Sequence, residues 1–368
     1  MDGQKSGGAM RPELRALTGL RGVAAMAVAL AHFQLFYPSY ANAPIMWGNA
    51  VDLFFVLSGF TLSYVYRRED FQFSSFLTAR IARIYPLYIL TTVVAGAAIA
   101  LPLQLDPTTY PLKNAISDFV LQALMLNAWP FGSAVHWNVA AWSISSEWFC
   151  YLVLFPLLLY QKAARSAAMR LLCIVVLSAT SYSIFVRCFD GNLGAARIYH
   201  SESQWSYWVA LLRGVFGFTA GWVVFACYER RDGLYTFCTR ASTLIWSIVI
   251  LTVVLAYRDL VNPQALVFLH PFVVLAATDQ ASATSRLLGS RPLHFLGVIS
   301  YSIYMMHYIL FVGFLAALGP PNTWSPLTYV LAAAMSLAVL AGSYFLIERP
   351  ARDAIRNLQR MRQATAST

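Results

Sequence analysis

Residues 17–33 read LTGLRGVAAMAVALAHF and are apolar almost throughout. The run contains one arginine, Arg21, and one histidine, His32, eleven residues further on. In a helix, this spacing puts both side chains on nearly the same face, about 16 Å apart along the axis. A cation and an imidazole within a membrane helix indicate a functional site. The alternative is that Arg21 extends to the lipid headgroups and His32 bonds a neighbouring helix.

The composition around this run is that of a membrane protein. Apolar residues make up 59% of the 368 positions and charged residues 11%, which favours a bundle of membrane helices over a soluble domain. The net charge of +10 is interpreted as positive-inside asymmetry rather than as a nucleic-acid surface. The five cysteines have no CxxC spacing, so neither a disulfide framework nor a thiolate metal site is predicted.

Apolar runs near twenty residues predict an all-α, polytopic fold of about ten transmembrane helices. The first run ends near Ala29-Leu30-Ala31, which resembles a signal-peptide cleavage site, but we expect a retained first span. The distribution of arginine and lysine predicts that both termini are cytoplasmic. The predicted spans are 17–37, 49–66, 81–102, 139–160, 171–188, 206–228, 242–258, 262–278, 295–317 and 326–347.

Three regions follow from these spans. Residues 1–13 form a cytoplasmic N-terminal tail, 14–350 the transmembrane domain, and 351–368 a basic cytoplasmic tail predicted as an amphipathic surface helix. The two long outer segments are 106–139 and 188–205. They leave no room for a separate soluble domain, so any chemistry must be built among the helices. No Walker loop, nucleotide-binding glycine fingerprint or zinc motif is found.

Asp52 lies at the outer start of the second predicted span, within AVDLFFVLSGF. A carboxylate beside so many apolar residues is costly unless it is paired or faces water. It could orient His32 by holding one ring nitrogen, and the alternative is a solvated carboxylate just outside the bilayer. Ser58 and Gly59 in the same helix predict a close helix contact.

Arg80 and Arg83 lie three residues apart at the cytoplasmic start of the third span. They therefore share one helix face. Two guanidinium groups on one face suit phosphate oxygens. The alternative is ordinary positive-inside charge, and Arg21 at the same membrane level favours the phosphate site.

Glu147 is a single carboxylate between tryptophans in AWSISSEWFCYL. Such a group indicates a buried ion pair or an acceptor-binding role, and Arg213 is its predicted partner, in either a structural or a catalytic pair. His307, in ISYSIYMMH, is a further candidate, although a single histidine on a span is more often hydrogen-bonded to a neighbour. Glu348 is predicted to anchor a helix end by bonding nearby arginines.

Taken together, these motifs resemble the acyltransferase-3 family of multipass membrane O-acyltransferases. The matching stretches are LTGLRGVAA with His32, AVDLFFVLSGF, the Arg80/Arg83 pair before IYP, WSISSEWFCY, LGVISYSIYMMH and IERP. They follow the family's order from about residue 14 to 352. Two features depart from the family's pattern: Ser146 and Trp148 flank Glu147, and we expect the stand-alone form of the family, without a fused outer hydrolase-like domain.

The resemblance implies about ten spans, an acyl-coenzyme A donor on the cytoplasmic side and an acceptor hydroxyl at the outer side, with no metal. Carried over by motif, His32 is the catalytic base, and Asp52 and Glu147 are further catalytic candidates. The resemblance implies donor-phosphate contacts at Arg21, Arg80 and Arg83. Substrate-binding candidates are Ser58, Trp142, Arg213 and His307.

The sequence therefore predicts an O-acetyltransferase in the inner membrane of a bacterium. It would move an acetyl group from acyl-coenzyme A to a cell-surface or exported polysaccharide or its lipid-linked precursor. One alternative acceptor is a small molecule such as a macrolide. A different class of protein, a secondary transporter, would use the same charged residues as a proton relay. The expected partners are the donor, the glycan and the lipid bilayer, without nucleic acid, and a homo-oligomer stays open.

Overall fold

The computed structural model describes residues 11–35, 49–100, 112–130, 137–138, 140–189 and 205–365. Residues 106–111, 131–136 and 139 of the first predicted outer segment, and residues 190–204 of the second, lie outside the described residues. Within the described ranges the regular structure is helical and contains no strand, in agreement with the predicted all-α class. The helices are α1 (Arg15–Leu35), α2 (Ala50–Val65), α3 (Phe73–Ala95), α4 (Leu112–Ala123), α5 (Ala141–Phe149), α6 (Phe155–Leu159), α7 (Ala167–Phe189), α8 (Trp205–Arg230), α9 (Gly233–Arg240), α10 (Ser242–Tyr257), α11 (His270–Ala276), α12 (Ala283–Leu288), α13 (Arg291–Val298), α14 (Ser300–Leu318), α15 (Pro326–Ser343) and α16 (Arg349–Thr365).

Seven helices within the described residues are long and apolar enough to cross a membrane. The bent pair α9 and α10, which meet at 71°, would make an eighth. The predicted ten spans are therefore not confirmed. The difference is clearest at 262–278, where a short 3₁₀ helix at Pro263–Phe268 is followed by the seven-residue α11. Each of these short helices has a proline in its first turn, where proline starts a helix but cannot continue one.

Helix α2 lies at the centre of the bundle, and eleven of its sixteen residues are buried. Two glycines let α2 and α8 approach each other at backbone distance. A side chain at Gly59 would overlap the carbonyl of Phe218, and one at Gly221 would overlap the carbonyl of Val56. Small residues allow this close packing between membrane helices, and the close contact predicted at Gly59 is confirmed.

Helix α1 packs against α13 and α14. Gly22 and Gly297 face each other at the α1–α13 contact, where an added Cβ on either would overlap the opposite backbone. This close approach brings the C-terminal half of α1 alongside α14. As a result His32 on α1 and His307 on α14 become neighbours.

The last helix, α16, continues from α15 through a π-helical segment at Tyr344–Glu348 and packs against α3. The π segment contains Glu348, which is 1% exposed. The predicted bonding of Glu348 to nearby arginines is observed, because Arg83 on α3 and Arg352 on α16 lie 2.6 Å and 3.9 Å from its Oε1 atom.

Candidate active site

A cavity of about 280 Å³ lies between α1, α2, α3, α5 and α16. Five guanidinium groups and one carboxylate, Glu147, line it. The cavity therefore carries a large excess of positive charge, which favours an anionic ligand. Arginine is also the side chain whose planar fork best matches phosphate oxygens. The five are Arg21, Arg80, Arg83, Arg352 and Arg356.

The structure thus brings the three predicted phosphate-binding arginines, Arg21, Arg80 and Arg83, to one cavity. Two of them differ in how they are held. Arg83 donates to the buried Glu348 at 2.6 Å. Arg80 contacts the hydroxyl of Tyr66 at only 3.5 Å, and its buried Nε atom has no hydrogen-bond partner within the described residues. Of Arg80 and Arg83, Arg80 is therefore the arginine with more unused hydrogen-bonding capacity for an anionic ligand.

A second, narrow cavity of about 50 Å³ adjoins the first, because Arg21, Ser58, Glu147 and Tyr301 line both. It extends beyond these residues to the hydroxyl groups on α5 and α14. The further lining residues are Ser143, Ser300 and Tyr304, with Phe54 and Phe55 among the apolar ones. This narrow cavity connects the arginines to the region around Tyr304.

Glu147 lies where the two cavities meet. Its Oε1 atom accepts hydrogen bonds from the hydroxyls of Ser58 and Tyr151, the latter at 2.6 Å. The predicted ion pair between Glu147 and Arg213 is wrong, since Arg213 pairs with a different carboxylate. Two hydroxyl donors hold the Glu147 carboxylate facing the cavity instead.

Asp52 is the carboxylate that Arg213 binds. Arg213 donates from Nε and Nη2 to the two oxygens of Asp52 at 3.0 Å and 2.9 Å, and Gln264 donates to the same carboxylate at 3.2 Å. Both charged side chains are at least 95% buried. The hypotheses that Asp52 orients His32, or that it is solvated outside the bilayer, are both wrong.

Trp142 belongs to the same buried cluster. Its ring lies 5.0 Å from the guanidinium carbon of Arg213, and Phe185 lies 5.1 Å from that carbon. Aromatic faces on a buried guanidinium stabilise its charge. A buried ion pair and a cation–π contact therefore link α2, α5 and α8 through Asp52, Arg213 and Trp142.

His32 and His307 form the third feature of the site. The Nε2 atom of His307 lies 3.2 Å from Nδ1 of His32, and the ring centroids are 4.8 Å apart. His307 Nδ1 lies 2.7 Å from the carbonyl oxygen of Tyr304 and 3.2 Å from that of Ile303. His32 Nδ1 also lies 3.0 Å from the carbonyl of Val28.

These contacts determine the tautomers of two neutral rings. Carbonyl oxygens only accept, so Nδ1 of His307 carries a proton and its Nε2 is an acceptor. The Nδ1 proton of His32 then faces two acceptors, the Val28 carbonyl oxygen and Nε2 of His307, and Nε2 of His32 keeps its lone pair. A ring held in this way through one nitrogen can act as a base through the other.

His32 lines neither of the two cavities described above. Two residues connect His32 to the narrow cavity. Tyr304 lines that cavity, the carbonyl oxygen of Tyr304 bonds His307, and His307 contacts His32. His32 itself is partly exposed, whereas His307 is 2% exposed. The two cavities thus lead from the arginines as far as Tyr304, and His32 is not among the described residues that line them.

Sequence reasoning missed several lining residues. Arg352 and Arg356 fall in the predicted surface helix, whose amphipathic pattern gave no sign that one face covers a cavity. Tyr151, Tyr301 and Tyr304 were hidden among apolar neighbours. Their hydroxyl groups within predicted spans are the signal that could have found them, because buried hydroxyls need partners. Within the described part of the chain no group of three or more metal-ligating side chains occurs.

Comparison with known proteins finds a matching family model and several relatives. A family model described as an acyltransferase domain matches residues 14–346. The chain is 27% identical over 358 residues to the acyltransferase MdmB of Streptomyces mycarofaciens, which covers 89% of this chain and 87% of that protein. It is 23% identical to the peptidoglycan O-acetyltransferase OatA of Listeria monocytogenes, over 93% of this chain and 56% of that protein. A putative peptidoglycan O-acetyltransferase of Bacillus subtilis, YrhL, is 25% identical over 91% of this chain and 54% of its own length. No solved structure matches the chain.

Proposed function

The chain belongs to the acyltransferase family whose domain spans residues 14–346, and we propose that it transfers an acetyl group from acyl-coenzyme A to a hydroxyl group of a glycan. The glycan would be a cell-surface or exported polysaccharide or its lipid-linked precursor. Membership of an enzyme family favours this function over the secondary transporter. The protein would act in the inner membrane of a bacterium, with both termini in the cytoplasm.

The observation that carries the donor assignment is the arginine-lined cavity. Coenzyme A carries a diphosphate and a 3′-phosphate, and the cavity offers five guanidinium groups against one lining carboxylate. Charge-assisted, bidentate contacts make such a set suited to phosphate. In this proposal Arg21, Arg80 and Arg83 hold the diphosphate, and the pantetheine arm enters the narrow cavity beside Ser58 and Tyr301.

The proposed chemistry uses the free Nε2 atom of His32. The acceptor hydroxyl oxygen attacks the carbonyl carbon of the thioester while its proton passes to Nε2. The C–S bond then breaks, the proton moves from His32 to the departing thiolate, and the products are an ester and free coenzyme A. In this proposal His307 accepts from Nδ1 of His32. The other ring nitrogen of His32, Nε2, then points away from His307 and can take the proton.

The glycan acceptor is supported by the two relatives named as peptidoglycan O-acetyltransferases. Both are longer than this chain, which spans about half of their length. A small molecule such as a macrolide is the alternative acceptor, and it would use the same donor cavity and the same base. The identity of the acceptor is therefore tested separately from the role of His32 as the base.

Two measurements test the proposal. Deleting the protein in its host should remove ester-linked acetate from one surface glycan, measured by nuclear magnetic resonance or mass spectrometry. Membranes containing His32→Ala protein should fail to restore that acetate, whereas His294→Ala protein, altered at a histidine on α13, should restore it. Unchanged esters on every glycan would reject the glycan acceptor. Near-normal transfer by His32→Ala protein would reject the base.

A further inference from the structure

The last helix contributes two side chains to the arginine cavity. Arg352 and Arg356 lie four residues apart on α16, so they share one helix face, and both line the cavity. The match to the family model ends at residue 346, before these two positions.

The charged side chains that line the cavity with Arg356 are mainly other cations, which do not stabilise a guanidinium group at this position. Arg356 shares the cavity lining with three other arginines, Arg352, Arg80 and Arg83, and Glu147 is the one carboxylate among the described lining residues. Arg352 lies 3.6 Å from the exposed Asp353 and 3.9 Å from the buried Glu348, and Glu348 has its shorter contact, 2.6 Å, with Arg83. Clustered like charges repel each other, so this part of the cavity is suited to a bound anion that offsets the repulsion.

The two ends of the cavity have different lining residues, and they can be matched to the two ends of coenzyme A. Arg21 lines both cavities and thus lies at the end that leads inward, whereas Arg352 and Arg356 line only the larger one. In coenzyme A the pantetheine arm leaves from the diphosphate, and the 3′-phosphate is attached to the ribose at the opposite end. A donor whose arm points inward would therefore present its 3′-phosphate toward α16.

We propose that Arg352 and Arg356 bind the 3′-phosphate of the donor and so make the enzyme selective for coenzyme A over 3′-dephospho-coenzyme A. This inference rests on the proposed function, because it takes coenzyme A as the donor. It assigns a specificity role to α16, whose sequence pattern alone indicates a surface helix.

The test measures binding of coenzyme A and of 3′-dephospho-coenzyme A by calorimetry, with the full-length protein in nanodiscs of phosphatidylcholine. Wild-type protein should bind coenzyme A about 10- to 100-fold more tightly, as expected for one or two charge-assisted hydrogen bonds. The Arg352→Gln/Arg356→Gln protein should lose that preference, with unchanged affinity for the dephospho compound. The control, Arg349→Gln/Arg360→Gln, removes the same charge from side chains that do not line the cavity and should keep it.

Each other outcome has a definite meaning. Equal wild-type affinity for the two compounds would overturn the inference without any variant, and it would leave the proposed donor intact. Equal weakening of both compounds in the Arg352→Gln/Arg356→Gln protein would also overturn it. A preference that changes only when phosphatidylglycerol is present would assign the two arginines to lipid headgroups instead. Failure of wild-type protein to bind either compound would reject the proposed donor itself.

Discussion

The Nε2 atom of His307 lies 3.2 Å from Nδ1 of His32, and the two residues are 275 positions apart in the chain. Because His307 is itself fixed by backbone carbonyls, its Nε2 atom is an acceptor. Together with the Val28 carbonyl it holds the Nδ1 proton of His32 and leaves Nε2 of His32 free.

Replacing His307 with alanine should lower kcat about 10- to 100-fold and leave KM for the donor unchanged, because His307 orients the base and does not touch the donor phosphates. His307→Asn should recover part of the loss, since its side-chain carbonyl can accept from Nδ1 of His32. Steady-state kinetics on both variants check this. A rise in KM with constant kcat would show that His307 acts in donor binding.

The two arginines on α3 should respond differently to the same substitution. Arg80→Gln should raise KM for acyl-coenzyme A about tenfold and change thermal stability much less than Arg83→Gln, because Arg80 has a long hydrogen bond with Tyr66 and aromatic contacts but no ion pair within the described residues. Arg83→Gln should destabilise the protein by about 3 kcal/mol, since it leaves the buried Glu348 without its closest partner. The Arg83→Gln/Glu348→Gln protein should recover much of that stability. Equal effects of the two single substitutions on KM and on thermal unfolding would contradict this distinction.

The buried pair of Asp52 and Arg213 should be structural rather than catalytic. Asp52→Asn should lower the free energy of unfolding by about 3–5 kcal/mol, because it leaves a guanidinium group buried without a counter-charge. The protein that remains folded should keep kcat within about threefold, since the pair contacts neither His32 nor the arginine cavity. Thermal unfolding in detergent and kinetics on the folded fraction give the two values. A loss of kcat as large as that of His32→Ala with normal stability would return Asp52 to the catalytic group.

The α2–α8 crossing should tolerate no added methyl group. Gly59→Ala and Gly221→Ala each place a Cβ on an opposing carbonyl, and such overpacking costs about 1–3 kcal/mol. The matched controls are Gly313→Ala and Gly342→Ala, where an added Cβ meets nothing within 4 Å. These controls should be neutral or stabilise by about 0.5–1 kcal/mol, because alanine favours helix over glycine. The unfolding temperatures of the four variants check this prediction. Gly59→Ala and Gly221→Ala proteins that unfold no earlier than the two controls would contradict it.

Much of the site could be predicted from local sequence. The three-residue spacing of Arg80 and Arg83 fixes a shared helix face, and placing Arg21 at the same membrane level predicted that the three arginines could meet. The partners of the charged groups could not be predicted in the same way. Whether Arg213 binds Asp52 or Glu147 depends on how α2, α5 and α8 cross, which the glycines determine in three dimensions.

The span count illustrates the same limit. Apolar composition predicted a membrane helix at 262–278, but the prolines at 263 and 271 divide that segment into short helices. A hydropathy pattern measures how apolar a segment is and does not show where its backbone hydrogen bonds end. The orientation of the termini stays a prediction from charge asymmetry.

The bond between Arg83 and Glu348 joins positions 265 residues apart, and this has a consequence for how the enzyme is made. The arginine cavity cannot be complete until residues beyond 348 have left the ribosome, because α16 forms part of its wall. A growing chain in the membrane would thus contain Arg21, Arg80 and Arg83 and still lack the last part of that wall. Synthesis itself would keep the enzyme inactive until the chain is nearly whole.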